Sequence, residues 1–137
     1  MDQARLRRIP AFADLSDDDL ARIAALASEL SVPAGKVLVR EGDWSYDMLA
    51  IEEGTADVLR EGARIAELGP GDVVGEIGVM DATQRSATVV ATSGMLLITL
   101  DRWSVKKLVR QAPDAIDHLR AVADARRRRD ADRQQAT

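Results

Sequence analysis

The sequence contains no cysteine, which excludes thiolate metal sites, a cysteine nucleophile and a disulfide-stapled scaffold. It has one histidine, His118, so a site built from several imidazoles is excluded as well. Aromatic residues make up 3%, and the core must therefore be filled by leucine, isoleucine, valine and alanine. No apolar run approaches the roughly 18 residues of a membrane span. Residues 1–10 carry charges but no apolar stretch, unlike a secretory leader. The net charge of −4 gives the molecule as a whole no attraction for nucleic acid or acidic membranes. A soluble cytoplasmic protein is expected.

What remains is an ordinary globular balance, with 46% hydrophobic and 31% charged residues in 137 positions. That length suits one domain, large enough to bury roughly two-thirds of its unfolded surface without a metal or disulfide staple. Ser16 followed by Asp17, Asp18 and Asp19 has the form of an N-cap with an acidic first turn. Leu20, Ile23, Ala24, Ala27 and Leu30 then recur at the helical period, predicting a helix through residue 30. The three aspartates lack the further oxygen ligands of a calcium loop, so capping is their expected role.

From residue 31 the pattern changes to short β-prone runs separated by glycines: 36–40, 46–52, 55–60, 64–68, 88–92 and 95–100. Many short strands with tight turns imply a sandwich or rolled barrel. Glu61-Gly62 reads as a hairpin turn in which glycine supplies the positive φ. After residue 100 the helical period returns in Val105, Leu108 and Val109. Pro113 then opens a last helix with Ile116, Leu119, Val122 and Ala123, which is expected to dissolve near Arg126–Arg129.

Residues 71–88 do not read as plain strand. Gly75 and Gly78 allow close backbone approach, and a short helix starting near Glu76 would offer free N–H groups to an anion. Arg85 adds a planar cation suited to a two-pronged grip on phosphate. The Glu76 carboxylate can accept hydrogen bonds from sugar hydroxyls. Donor cradle, cation and acceptor together describe a sugar-phosphate pocket; the competing reading is that Glu76 and Arg85 only pair with each other.

The ordered series Ile9-Pro10-Ala11-Phe12, Ala34-Gly35-Lys36, Arg40-Glu41-Gly42-Asp43, Ile51-Glu52-Glu53-Gly54, Gly69-Pro70-Gly71-Asp72-Val73-Val74-Gly75-Glu76-Ile77 and Arg85-Ser86-Ala87-Thr88-Val89 resembles the cyclic nucleotide-binding domain family. That family includes catabolite activator proteins, regulatory subunits of cyclic-AMP-dependent kinase and gated channels. The resemblance covers residues 6–120. It implies an α+β, mainly β, fold: a double-stranded β-helix or jelly-roll β-roll flanked by N-terminal helices and two C-terminal helices. The expected layout within one domain is helices over 1–30, roll over 31–100, hinge and lid helices over 101–130 and a polar tail over 131–137.

The resemblance also implies roles. Gly75 and Glu76 match the phosphate cassette's Gly-Glu, whose glutamate holds the ribose 2′-hydroxyl. Ile77, Gly78 and Val79 match the short helix that meets the cyclic phosphate. Arg85 matches the phosphate-neutralising arginine and Ser86 the small residue beside it. Gly78 and Val79 depart from the usual Ala-Leu and Gln84 from the common proline, but no departure removes a charged contact. The implied ligand is cyclic AMP, with cyclic GMP as the alternative because Ser86 carries a hydroxyl. Leu119, Val122 and Ala123 are read as a lid over the base; the alternative is a fixed homodimer interface on that helix. No cofactor or metal is expected.

Three rival classes compete with this reading. A cupin-type metalloenzyme needs a ligand cluster that one histidine cannot supply, and no nucleophile accompanies His118, so catalysis is not expected. A DNA-binding regulator needs helices beyond the roughly twenty residues that follow Pro113. Arg126–Arg129 is diluted by Asp124, Asp130 and Asp132 and suits a helix C-terminus. A ligand-free scaffold would leave Glu76 and Arg85 as costly charges without a role. A sensor belonging to a larger transcription regulator or enzyme, or acting through an effector protein, fits equally well. Trp44 and Tyr46 are expected to cover the roll's edge.

Overall fold

The computed structural model describes residues 1–42, 47–74 and 87–136, with side chains as far as Ala125. The chain opens with α1 (Gln3–Arg7), a 3₁₀ turn (Pro10–Phe12) and α2 (Asp17–Leu26). Ser16 caps α2 as its sequence predicts, its hydroxyl accepting the Asp19 N–H at 3.2 Å. The helix stops earlier than its apolar period suggests. Ala27 is its C-cap with extended ψ, and β1 (Ser28–Val32) follows at once. Leu30 is therefore in a strand, opposite Leu97, and 42% exposed. Pairing with a neighbouring strand outweighs the local helical period here.

The remaining strands are β2 (Val37–Val39), β3 (Met48–Glu53), β4 (Ala56–Arg60), β5 (Ala63–Leu68), β6 (Val73–Val74), β7 (Thr88–Ala91) and β8 (Met95–Leu100). They form two four-stranded antiparallel sheets, ordered β1-β8-β3-β6 and β2-β7-β4-β5. This is the jelly roll that the resemblance implies. Six strands fall where β-prone runs predict them; β1 and the two-residue β6 do not.

Strands β8, β3 and β6 of the first sheet are buried on both faces, and strand alternation sorts their side chains. Met48, Ala50, Val73, Ile98 and Leu100 point toward the helices. Leu49, Ile51, Val74, Met95 and Leu97 point inward, against Val58, Ala66, Leu68, Val89 and Ala91 of the second sheet. Two cores thus share one sheet. Each fully buried leucine or isoleucine contributes about 1.5–3 kcal/mol, which compensates for the shortage of aromatics. Phe12, fully buried, is the aromatic in the helical core.

The β4–β5 hairpin turns at Glu61 and Gly62, both with positive φ (52° and 81°). Glycine alone was expected to carry that conformation. A left-handed glutamate is strained, and here its N–H is anchored by the Glu41 carboxylate at 3.0 Å.

The C-terminal part is α3 (Arg102–Gln111) and α4 (Pro113–Ala136). Asp101 caps α3, accepting the Ser104 N–H at 2.8 Å. The expected polar tail is instead helical through Ala136. No glycine or proline follows Pro113, and alanine, arginine and glutamine are good helix formers, so nothing in the sequence stops the helix. The apolar stripe of α4 also differs from expectation. Read as a lid or a dimer interface, it is part of the core: Ile116, Leu119 and Ala123 are 0–2% exposed among Leu6, Phe12, Val105 and Leu108. Ala112 and Ala115, both buried beside it, let the helix approach closely and widen the contact.

Candidate functional site

The sequence-predicted cassette residues Gly75, Glu76, Ile77, Gly78, Val79, Arg85 and Ser86 lie outside the described residues, as do Trp44 and Tyr46. The structure defines what stands on either side of them. β6 leads into the segment from the first sheet, with Leu49 opposite Val74 and Ala50 opposite Val73. β7 receives it in the second sheet, where Thr88 lies opposite Leu59. The two ends of the predicted pocket are thus fixed in different sheets of the roll.

The entry is held by a tight turn. Gly71 has φ +92°, and its N–H donates to the Ile51 carbonyl at 2.9 Å. The Ile51 N–H in turn donates to the Asp72 carbonyl at 2.9 Å. The Asp72 carboxylate accepts the Gly69 N–H at 2.9 Å, fastening the turn back on its first residue. Pro10 packs directly on this turn: a Cβ on Gly71 would sit 3.0 Å from Pro10 Cγ. The N-terminal 3₁₀ turn therefore braces the strand that enters the cassette.

The exit is held through a side chain. Thr88 Oγ1 accepts the Glu41 N–H at 2.9 Å, while the Glu41 carboxylate holds the hairpin through Glu61. Glu41 belongs to the Arg40-Glu41-Gly42-Asp43 block of the resemblance, but composition and spacing assigned it no role. Its signal, a carboxylate between two turns, becomes readable only once β2, β7, β4 and β5 are assembled into one sheet.

Of the three lid residues, Leu119 and Ala123 are fully buried and Val122 is half-buried against the same cluster. α4 packs on β5, β6, α3 and the 3₁₀ turn. Val73, the residue before the last of β6, shares a core cluster with Leu119 and Ala123. The lid candidates and the strand entering the cassette are thus parts of one packed unit. His118 is half-buried, its Nε2 without a hydrogen-bond partner among the described residues. Among the described residues no group of three or more histidine, aspartate or glutamate side chains is placed to hold a metal. No described helix is long and apolar enough to cross a membrane.

The chain belongs to the cyclic nucleotide-binding domain family, whose family model matches residues 29–112. That family is typically not catalytic. The chain is 30% identical over 125 residues to a cAMP-dependent protein kinase regulatory subunit of Schizosaccharomyces pombe, covering 90% of this chain and 30% of that protein. A cyclic nucleotide-binding domain from Methylobacillus flagellatus superposes with a TM-score of 0.77 at 26% identity, over 96% of this chain and 79% of that one. The catabolite activator protein of Thermus thermophilus gives 0.74 at 29% identity, over 93% and 62%. The chain spans 15–33% of the length of eight curated relatives it matches.

Proposed function

We propose that this chain is a cyclic AMP sensor that signals through its C-terminal helices. The family match carries the ligand class, and it ends at Ala112, so the role of α4 rests on packing alone. In this reading the Gly75–Val79 amides and the Arg85 guanidinium hold the cyclic phosphate. Glu76 accepts the ribose 2′-hydroxyl, and Ser86 lies beside the phosphate. Leu119, Val122 and Ala123 supply apolar surface to the purine, and the ligand selects the arrangement in which they do so.

The break between α3 and α4 supports a hinge. Ala112 leaves helical geometry with φ −144° and ψ 60°, and Pro113 removes the donor that would continue the helix. Because α4 packs on β6, a change in the cassette reaches the helix through a direct contact. The output is a homodimer partner or an effector protein engaged through these helices, in the cytoplasm, without cofactor, metal, nucleic acid or membrane. Side-by-side titration with cyclic AMP and cyclic GMP tests the ligand. Tighter binding of cyclic AMP is expected, and no heat with either nucleotide would contradict the reading.

A further inference from the structure

The outward face of α3 combines an exposed indole with uncompensated positive charge. Trp103 is 70% exposed. Arg102, Lys106, Lys107 and Arg110 share its helix, which contains no carboxylate. At 100° per residue these five positions fall within roughly 140° of arc, with Trp103 inside it. The opposite side carries Val105 and Leu108, fully buried in the helical core. Two of the cations lie over the indole: the Arg102 guanidinium carbon is 5.4 Å and Lys106 Nζ 5.0 Å from the ring centroid.

Stability of the helix does not account for this charge. Arg102–Lys106 and Lys106–Arg110 are like-charged pairs at i,i+4, the unfavourable arrangement. The macrodipole favours Arg110 near the C-terminus but disfavours Arg102 in the first turn. Among the described residues none of the four forms an ion pair with a carboxylate. The cluster stands in a chain whose net charge is −4, so the charges are segregated rather than merely abundant.

We infer that this face of α3 docks an acidic segment of a partner polypeptide, with apolar side chains of the partner resting on Trp103. Aromatic residues and arginines are the anchors that protein interfaces favour. Carboxylates of such a segment would supply counter-charges that no described residue provides as an ion pair. A lipid surface fits less well. The apolar side of α3 is committed to the core, leaving one indole to insert. A long nucleic acid would meet the net negative charge of the rest of the molecule. The surface lies outside the nucleotide reading, whose failure would leave it standing. Because α3 abuts α4, a bound partner would also contact the helix pair proposed to move.

The test uses the full chain in a Trp44→Phe background, which leaves Trp103 as the indole reporter. A short synthetic peptide with glutamates around a central leucine is titrated in, at low and at high salt. The expected result is a shift in Trp103 emission with half-saturation below about 100 μM, weakening about tenfold or more between 50 and 300 mM salt. The Lys106→Glu/Lys107→Glu double variant should abolish binding, and Trp103→Ala, followed by calorimetry, should weaken it at least about fivefold. Unchanged binding by the charge-reversed variant, or no response at about 1 mM peptide, would overturn the proposal. Preferential binding of phosphatidylserine vesicles or duplex DNA would overturn it too, as would salt-sensitive self-association through this face.

Discussion

Arg5 on α1 reaches across to β3 and grips Glu52, its Nε 3.0 and 2.7 Å from the two carboxylate oxygens. The same guanidinium bonds Glu29 of β1 at 3.0 Å, so one side chain ties the N-terminal helix to two strands of the first sheet. Both glutamates push the Arg5 ionisation further up, and Arg5 holds the Glu29 carboxyl below its ordinary value of 4.5. A carboxyl with a depressed folded-state pKa stabilises fully above its unfolded value and loses that effect as pH falls through the folded one. Glu29→Gln should therefore lower the unfolding midpoint at pH 7 by more than it does at pH 2. Urea unfolding at the two pH values checks this, and the difference at pH 7 should shrink in 1 M salt.

Gly54 is confined by its neighbours as well as by its backbone. At φ +95° an added Cβ would run into the Gly94 carbonyl oxygen and lie 2.8 Å from Met95 Cγ. Gly54→Ala should cost about 3 kcal/mol or more, strain and overpacking together. Gly35 has φ +89° with open space around it, so Gly35→Ala should cost only about 1–2 kcal/mol. Chemical denaturation of both variants checks the ranking.

The fold was largely legible because its signals are local. The Ser16 cap, the glycine-punctuated runs and the Pro113 helix start act within a few residues, and the structure bears out each of them. The failures lie where distant contacts decide. Leu30 fits a helical period, yet β8 recruits it as a strand. Val73 and Val74 are too short a run to signal a strand until β3 supplies their partner. Ala115 carries no visible apolar signal, although with Ile116 and Leu119 it builds a full core face. Glu61 shows the same at one residue, its left-handed backbone depending on Glu41 twenty positions earlier. For the site, residue types and the resemblance name a candidate cassette that lies outside the described residues, and the braces at Pro10, Asp72 and Thr88 emerge only from the packing.

Leu119 and Val122 separate packing from ligand contact on α4. Leu119 is fully buried in the helical core, so Leu119→Ala should cost about 2–5 kcal/mol of stability whatever the ligand does. Val122 is half-buried, so Val122→Ala should destabilise by only about 1 kcal/mol or less. If Val122 meets the base, the same change weakens cyclic AMP binding by about 3–10-fold, comparable to removing one or two buried methyl groups. Thermal melts and titrations on both variants check this.

Amide exchange across residues 114–125 reads the proposed movement directly. Ligand binding should slow exchange there if α4 closes on the nucleotide. A helix fixed in one interface throughout would show equal protection with and without ligand.

The central claim is that Arg85 holds the phosphate of a bound cyclic nucleotide, and calorimetric titration of wild type and Arg85→Ala with cyclic AMP tests it most directly. Stripping one partner from a buried charge pair costs about 3–5 kcal/mol, or roughly a hundred- to several-thousand-fold in affinity. Arg85→Lys should recover little of this, because an ammonium lacks the two-pronged geometry. Saturable binding by wild type with a loss of that size in Arg85→Ala is the predicted result. Equal affinity in the two proteins, or none in wild type, would contradict it.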